Sequence, residues 1–180
     1  MTQKLIVKTT VDAPAEKVFD VLADPTTHQA IDGTGWVRES VDGIPLTETG
    51  QIFRVGMYHD NHPNKNYEMA NRVEVFDRPR AIAWQPGSEA RHNPGREDSD
   101  DDTVEYGGWI WRYDLDPGDA DHTEVTLTYD WSAVPEQLSN EIQFPPFPVA
   151  HLENSLANLA RLATEVHTAR ESGAPTHPDG

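Results

Sequence analysis

The chain has 180 residues, of which 36% are hydrophobic, and it contains no cysteine. This composition predicts one globular domain over residues 1–172 with a flexible tail at 173–180, and it excludes disulfides, a thiol nucleophile and cysteine-ligated metal sites. With 14 basic and 31 acidic residues the net charge is -17, which argues against nucleic acid and anionic membranes as partners.

The front of the chain predicts a strand followed by two short helices. Alternating apolar residues indicate a strand over residues 4–11. A helix is predicted over 12–22, capped by Asp12 and with Pro14 in its first turn. A second short helix is expected next, where His28 and Asp32 lie one helical turn apart and are interpreted as a surface ion pair.

The middle of the chain has the period-two pattern of half-buried strands. The connections are too short for helical crossovers, so these strands are expected to be antiparallel. The acidic segment 87–102 is poor in core residues and predicts an exposed, mobile loop. The predicted strands cover residues 35–41, 53–59, 67–75, 81–85, 104–115 and 123–131.

The back of the chain predicts one long helix over residues 149–171, opened by Pro148 and closed by Ser172 and Gly173. Its apolar residues recur at helical spacing and form one stripe: Leu152, Leu156, Leu159, Ala163 and Val166. The element order therefore predicts an α+β fold, with a curved antiparallel sheet of about seven strands wrapped around this helix and a pocket between them.

Three segments carry a resemblance to a known family. Residues 18–25 (VFDVLADP), together with His28 and the run 31–35 (IDGTG), resemble the start of the SRPBCC superfamily in its polyketide cyclase/dehydrase-like branch. Residues 73–84 and 123–132 resemble its middle and final strands. The resemblance implies the helix-grip fold of START domains and the birch pollen allergen, built around an apolar cavity, and no universal catalytic motif.

Large aromatic side chains on the predicted inner faces together suit a planar or lipid-like ligand, although core packing is the simpler explanation of any single one of them. Two methionines offer adaptable contacts beside them, and the last helix closes the pocket. The candidate ligand-binding residues are Phe53, Met57, Tyr67, Met69, Trp84, Trp109, Trp111, Tyr113, Tyr129, Trp131 and Leu156.

Two polar residues share the inward parity of these strands and are candidate catalytic residues. His59 could act as a general acid or base, and Asn71 on the following strand could meet the same bound carbonyl group. Tyr67 is a further candidate for moving protons. The alternative interpretation of His59 is an exposed histidine at a strand end.

No metal site or cofactor is predicted. His59 and His62, with Glu68 downstream, lie on no helix and lack a defined third ligand. The run Asp98, Asp100 and Asp102 starts like a calcium loop but lacks the later glycine and glutamate that such a loop requires. No phosphate-binding glycine motif is present.

The leading functional hypothesis is a cytoplasmic protein that holds a hydrophobic, aromatic or polyketide-like small molecule between the sheet and the last helix. The resemblance implies cyclisation or dehydration if the ligand is transformed. The alternative is an interaction module that acts through its surface, like a chaperone activator or a stress or toxin–antitoxin partner. No apolar run is long enough to span a membrane, and a homodimer is left open.

Overall fold

A computed structural model of the chain describes residues 3–60, 65–89, 103–119, 121–141 and 143–173, with the backbone alone for 119 and 166–173. The front of the chain forms β1 (Lys4–Val11), α1 (Ala15–Leu22), a 3₁₀ turn (Pro25–Thr27) and α2 (His28–Asp32). The two short helices after the first strand are therefore confirmed. Gly33 ends α2 in the left-handed conformation, with φ of 68°.

The predicted cap of α1 is wrong. Pro14 occupies the cap position, where its carbonyl accepts hydrogen bonds from Lys17 and Val18, and no side chain caps the helix. Proline suits this place because it has no N–H group to leave unpaired. The Asp12 carboxylate instead lies 3.3 Å from Nε2 of His122.

Within the described residues the sheet is antiparallel throughout and has eight strands, in agreement with the predicted count of about seven. Seven of them follow the order β1-β8-β7-β5-β4-β3-β2, and the short β6 pairs with β5. The strands are β2 (Val37–Ser40), β3 (Ile52–Tyr58), β4 (Asn66–Asp77), β5 (Ala81–Glu89), β6 (Val104–Tyr106), β7 (Ile110–Asp119) and β8 (His122–Asp130).

The predicted strand over residues 104–115 is two strands. Gly108 has φ of 100°, and a Cβ atom on Gly107 would lie 1.8 Å from the Trp109 ring. The backbone therefore turns between β6 and β7 in a way that glycine allows and other residues do not. β6 pairs with the end of β5, and β7 pairs with its beginning.

Strand β5 is longer than predicted, so residues 87–89 belong to the sheet and not to a loop. Glu89 is 1% exposed, and its carboxylate accepts a hydrogen bond from Nε of Arg54 on β3. The pair reaches across β4 at Ala70, which lies between Arg54 and Gly87 in the register. The rest of the predicted acidic loop, residues 90–102, lies outside the described residues.

The long helix α4 (Val149–Gly173) packs against β1, β8, α1 and α2. Its stripe of Leu152, Leu156, Leu159 and Ala163 is buried, as predicted, and it joins Phe19 and Leu22 of α1 in the core. The Val166 side chain and the predicted tail beyond Gly173 lie outside the described residues. A short helix α3 (Glu136–Glu141), which was not predicted, precedes α4.

None of the helices in the described part of the chain is long and apolar enough to cross a membrane.

Replacing Leu159 with alanine tests the packing of α4. Leu159 is fully buried, so Leu159→Ala removes apolar contacts and leaves a cavity. We expect the free energy of unfolding to fall by about 2–5 kcal/mol in denaturant titration. Glu153→Ala, at an exposed position of the same helix, is the matched control and should change it by less than about 0.5 kcal/mol. Equal effects of the two variants would contradict this packing.

Candidate functional site

A cavity of about 410 Å³ lies between the inner face of the sheet and the helices α2 and α4. This volume is in the range that holds a small organic molecule. The strands β3, β4, β5, β7 and β8 supply one wall, and α2, the segment after it and the start of α4 supply the other. The lining residues are His28, Ile31, Asp32, Trp36, Val37, Phe53, Val55, Met57, Tyr67, Glu68, Met69, Asn71, Trp84, Pro86, Ser88, Trp109, Trp111, Tyr113, Tyr129, His151 and Ser155.

The structure places most of the candidate ligand-binding residues in this lining. The register explains why they meet, since Trp84 pairs with Trp111 and Trp111 pairs with Tyr129 across three neighbouring strands. Side chains of directly paired residues lie on the same face of a sheet. The candidates found in the lining are Phe53, Met57, Tyr67, Met69, Trp84, Trp109, Trp111, Tyr113 and Tyr129.

Two candidates, Trp131 and Leu156, lie outside the cavity lining. Trp131 follows the end of β8 and packs against Tyr129, with ring centroids 5.7 Å apart. Leu156 is 2% exposed and lies in the leucine stripe that fills the core beside β1. Both residues are buried, and both contribute to core packing.

Phe147, which lies just before α4, extends the aromatic wall, although the sequence did not single it out. Its ring stacks on Trp111, with centroids 5.5 Å apart and planes at 28°, and meets Tyr129 edge-on at 4.9 Å. The ring of His151 lies 4.7 Å from it. These contacts tie the start of α4 to the β7 and β8 side of the cavity.

His28 and Asp32 do not form the surface ion pair expected from their spacing. Both are buried, at 7% and 5% exposure, and both line the cavity. Nε2 of His28 lies 2.9 Å from the carbonyl oxygen of Leu22, and its ring stacks on Trp84. Because a carbonyl only accepts, Nε2 carries the proton, and burial lowers the pKa of this imidazole.

The Asp32 carboxylate organises the segment between α2 and β2. Its Oδ2 accepts hydrogen bonds from the backbone N–H groups of Thr34, Trp36 and Val37, at 3.0, 3.1 and 3.2 Å. The hydroxyl of Thr34 donates to the same carboxylate. These bonds place the Trp36 ring against the cavity, where Nε1 donates to the Tyr67 hydroxyl at 2.8 Å.

Two polar residues of α4 line the cavity one helical turn apart. Nε2 of His151 lies 3.7 Å from Oδ1 of Asp32. Burial lowers the pKa of His151, and the Asp32 carboxylate offsets part of that shift. Ser155 is 5% exposed. Neither residue was identified from the sequence, although both lie next to leucines of the predicted core stripe.

Buried hydroxyl groups of Tyr113 and Tyr129 also lie in the lining, at 3% and 2% exposure. Burial raises the pKa of both phenols, and for Tyr113 the nearby Asp32 carboxylate adds to the effect. Burial also raises the pKa of Tyr67, and the hydrogen bond from Trp36, which lowers this pKa, offsets part of the effect. All three phenols are therefore neutral groups near pH 7.

The structure does not bring the two candidate catalytic residues together. Asn71 is buried in the lining, where its Nδ2 donates to the Phe53 carbonyl over a long 3.4 Å. His59 is exposed, lies just beyond the end of β3 and is absent from the lining. Asn71 pairs with Phe53, and His59 lies six positions along the chain from Phe53, which is about 20 Å in extended backbone.

No three histidine or acidic side chains in the described residues converge in a way that would hold a metal ion. His62 and the run from Asp98 to Asp102 lie outside those residues.

Comparisons with known proteins support the fold. No family model matches the chain. An uncharacterised protein of Mycobacterium tuberculosis is 24% identical over 163 residues, which is 89% of this chain and 62% of that protein, so the chain spans less than two thirds of this relative.

Solved structures match over nearly the whole chain. The Zhui aromatase/cyclase of a Streptomyces species has a TM-score of 0.55 at 19% identity, covering 97% of this chain and 98% of that one. Norcoclaurine synthase of Thalictrum flavum, solved in complex with dopamine and hydroxybenzaldehyde, has a TM-score of 0.57 at 16% identity, covering 92% and 88%. These likenesses establish the fold.

The buried histidines predict how stability depends on pH. Burial lowers the pKa of His28 in the folded state. As the pH falls below about 6.5, the unfolded chain therefore binds more protons than the folded chain, and the free energy of unfolding should decrease. His28→Gln should flatten the slope of unfolding free energy between about pH 6.5 and 5.5, a window in which carboxylates stay mostly ionised. His151 contributes a slope of the same sign.

Gln29→Ala, at an exposed and uncharged position of the same helix, is the control for this measurement and should keep the wild-type slope. A wild-type slope in the His28 variant would show that His28 is not buried in its neutral form.

Proposed function

We propose that this chain, which has the SRPBCC, birch-pollen-allergen-like helix-grip fold, binds a hydrophobic aromatic small molecule in the cavity between its sheet and α4. The observation that carries the proposal is the cavity of about 410 Å³ with its aromatic wall. Trp84, Trp111 and Tyr129 present large flat surfaces to it, and Met57 and Met69 adapt to the shape of an occupant.

The cavity favours ligand binding over the alternative of a module that acts through its surface alone. A protein without a ligand gains stability by filling its interior, because an unfilled apolar space forfeits contacts. Here the stripe of α4 fills one half of the interior, while the other half remains open beside the aromatic wall. Two proteins with this fold support the proposal: one is an aromatase/cyclase, and the other has been solved with aromatic compounds.

The same cavity would support cyclisation or dehydration of a polyketide-like ligand. Asn71 supplies an amide that can donate to a carbonyl oxygen, and a neutral His151 supplies a proton acceptor. His59 has no part in this proposal, because it is exposed and lies outside the lining.

If the cavity carries out this chemistry, Asn71→Ala should reduce turnover of a polyketide-like compound by about 10²-fold or more while binding is largely kept.

Binding is tested with a neutral aromatic dye, N-phenyl-1-naphthylamine, whose emission rises in an apolar site. We expect saturable binding with quenching of tryptophan emission. At about 100 times the dissociation constant, a ligand adds about 2.7 kcal/mol of stability, which for this chain length is about 5–10 °C in melting temperature. If a panel of flat aromatic compounds changes neither the tryptophan emission nor the melting temperature, the proposal is contradicted.

The place of binding is tested by partly filling the cavity. Ser155→Leu adds volume to the lining and should weaken dye binding about tenfold or more, since overpacking excludes the ligand. Ala157→Leu, at an exposed position of the same helix, is the matched control and should bind like the wild type. Trp111→Ala is a second test, because it removes an aromatic face without adding volume. Unchanged dye affinity in both cavity variants would place the dye elsewhere.

A further inference from the structure

The charged side chains in the cavity lining are all acidic. Asp32 and Glu68 are the acidic groups, and no lysine or arginine is present among the lining residues that the structure describes. Glu68 alternates with the inward-facing Met69 on β4 and lies near the Arg54 guanidinium, whose pKa is raised first by its bond to Glu89 and further by Asp42 and Glu68. Asp32 is the acidic group without such a cation.

The surroundings of Asp32 suit an ionised carboxylate. Three backbone N–H groups and the Thr34 hydroxyl donate to it, and an ionised carboxylate is an acceptor of hydrogen bonds only. Within the described residues its one histidine neighbour is His151, at 3.7 Å. Burial lowers the pKa of that histidine, so near pH 7 the histidine does not neutralise the carboxylate.

Oδ2 accepts from three backbone N–H groups, whereas among the described residues the Thr34 hydroxyl, which it shares with Oδ2, is the one hydrogen-bond donor to Oδ1. A carboxylate oxygen has two lone pairs, so Oδ1 keeps capacity for one more donor. It is also the oxygen that lies toward His151. A bound group that donates a hydrogen bond can therefore reach Asp32 beside α4.

Two buried hydroxyls point independently to a polar group on the ligand. Tyr113 and Ser155 are 3% and 5% exposed, both line the cavity, and in the described part of the chain neither hydroxyl has a hydrogen-bond partner. A buried polar group without a partner is costly, and native proteins rarely leave one unpaired. Tyr113 lies close enough to Asp32 to be affected by its charge, and Ser155 is one turn from His151.

The aromatic wall also favours a positively charged group in the cavity. The faces of tryptophan and tyrosine rings carry negative electrostatic potential and attract cations, most strongly where water is excluded. Trp36, Trp111 and Tyr113 all line the cavity with Asp32. A carboxylate, unpaired hydroxyl acceptors and aromatic faces together make an environment for a positive charge.

Building on the proposed function, we propose that the cavity selects an aromatic amine in its protonated form, with the ammonium group beside Oδ1 of Asp32 and within reach of the Tyr113 and Ser155 hydroxyls. The aromatic part of the ligand lies against the tryptophan wall. Carboxylates and phosphates are disfavoured, because they would meet buried negative charge without a cation to compensate.

The test compares three probes of one shape: 2-naphthylmethylamine, 2-naphthylmethanol and 2-naphthoate. Affinity is measured by tryptophan quenching in the wild-type protein. We expect the amine to bind about tenfold or more tighter than the alcohol and the naphthoate to bind weakest. The measurement is made in about 0.5 M salt, because the net charge of -17 attracts any cation to the surface and salt screens exposed charges more than buried ones.

The outcomes separate this inference from the proposed function. If the alcohol or the naphthoate binds as tightly as the amine, the choice of an amine is overturned and the aromatic cavity stands. If none of the three probes binds, the proposed function itself is contradicted. An amine preference that disappears in salt would place the amine on the surface and also overturn the inference.

Variants locate the positive charge. Asp32→Asn keeps the shape of the side chain and should bring the amine and the alcohol to within about threefold of each other. Because Asp32 also organises the segment 33–37, Tyr113→Phe and Ser155→Ala provide a second test that leaves this segment intact. Each should weaken the amine about three- to tenfold. Glu68→Gln is the matched control for charge and should keep the preference for the amine. If Glu68→Gln loses this preference while Asp32→Asn keeps it, the assignment of the ammonium site to Asp32 is overturned.

Discussion

The packing of α4 along the inner face of the sheet is the interaction on which both the core and the cavity depend. Neighbouring residues of a helix are about 100° apart, so Leu152 and Leu156 face the core while His151 and Ser155, each one position earlier, face the cavity. One helix therefore supplies the apolar contacts that hold the domain together and two of the polar groups of the site. A rotation of this helix would disturb both at once.

The anchoring of α2 to α4 gives this arrangement its geometry. Nδ2 of Asn158 donates to the carbonyl of Ile31 at the end of α2, and Gly33 lies against the same side chain. A Cβ atom at Gly33 would come within 2.7 Å of Nδ2 of Asn158 and would displace that amide from its bond to Ile31, while the φ of 68° itself favours glycine. This contact sets how far Asp32 lies from His151 across the cavity.

Strand periodicity predicted much of the aromatic wall because residues two apart in a strand share a face. That rule predicted inward positions for Trp109, Trp111, Tyr113 and Tyr129 with no knowledge of what covers them, and all four line the cavity. It could not tell where a strand stops being covered, which is why His59 has the right parity but an exposed side chain. It also missed the division between β6 and β7, which depends on the backbone conformation of Gly108.

The polar half of the site was harder to predict because it comes from helices and from one tight segment. A spacing of four residues suggested an ion pair between His28 and Asp32. In the structure His28 instead forms a hydrogen bond with the backbone carbonyl of Leu22, and Asp32 accepts from the backbone N–H of Trp36. The hydrogen bonds to the Asp32 carboxylate come from residues 34–37, which follow it directly. The sequence Asp-Gly-Thr-Gly is typical of a turn held by such bonds. His151 and Ser155 become visible as site residues when the register of α4 against the sheet is known.

The Arg54–Glu89 pair on the opposite face of the sheet has a consequence for how the cavity can change. It joins β3 to β5 across β4, and a slip of β4 by one residue would exchange its inward and outward side chains. Ala70 of β4 lies between the two partners in the register, and a slip would put the larger Met69 or Asn71 in its place, which makes the slip costly. The alignment of β4 therefore does not depend on the size or polarity of inward side chains such as Met69 and Asn71. The scaffold can thus accept new ligands by substitution on one face, while the other face preserves the frame.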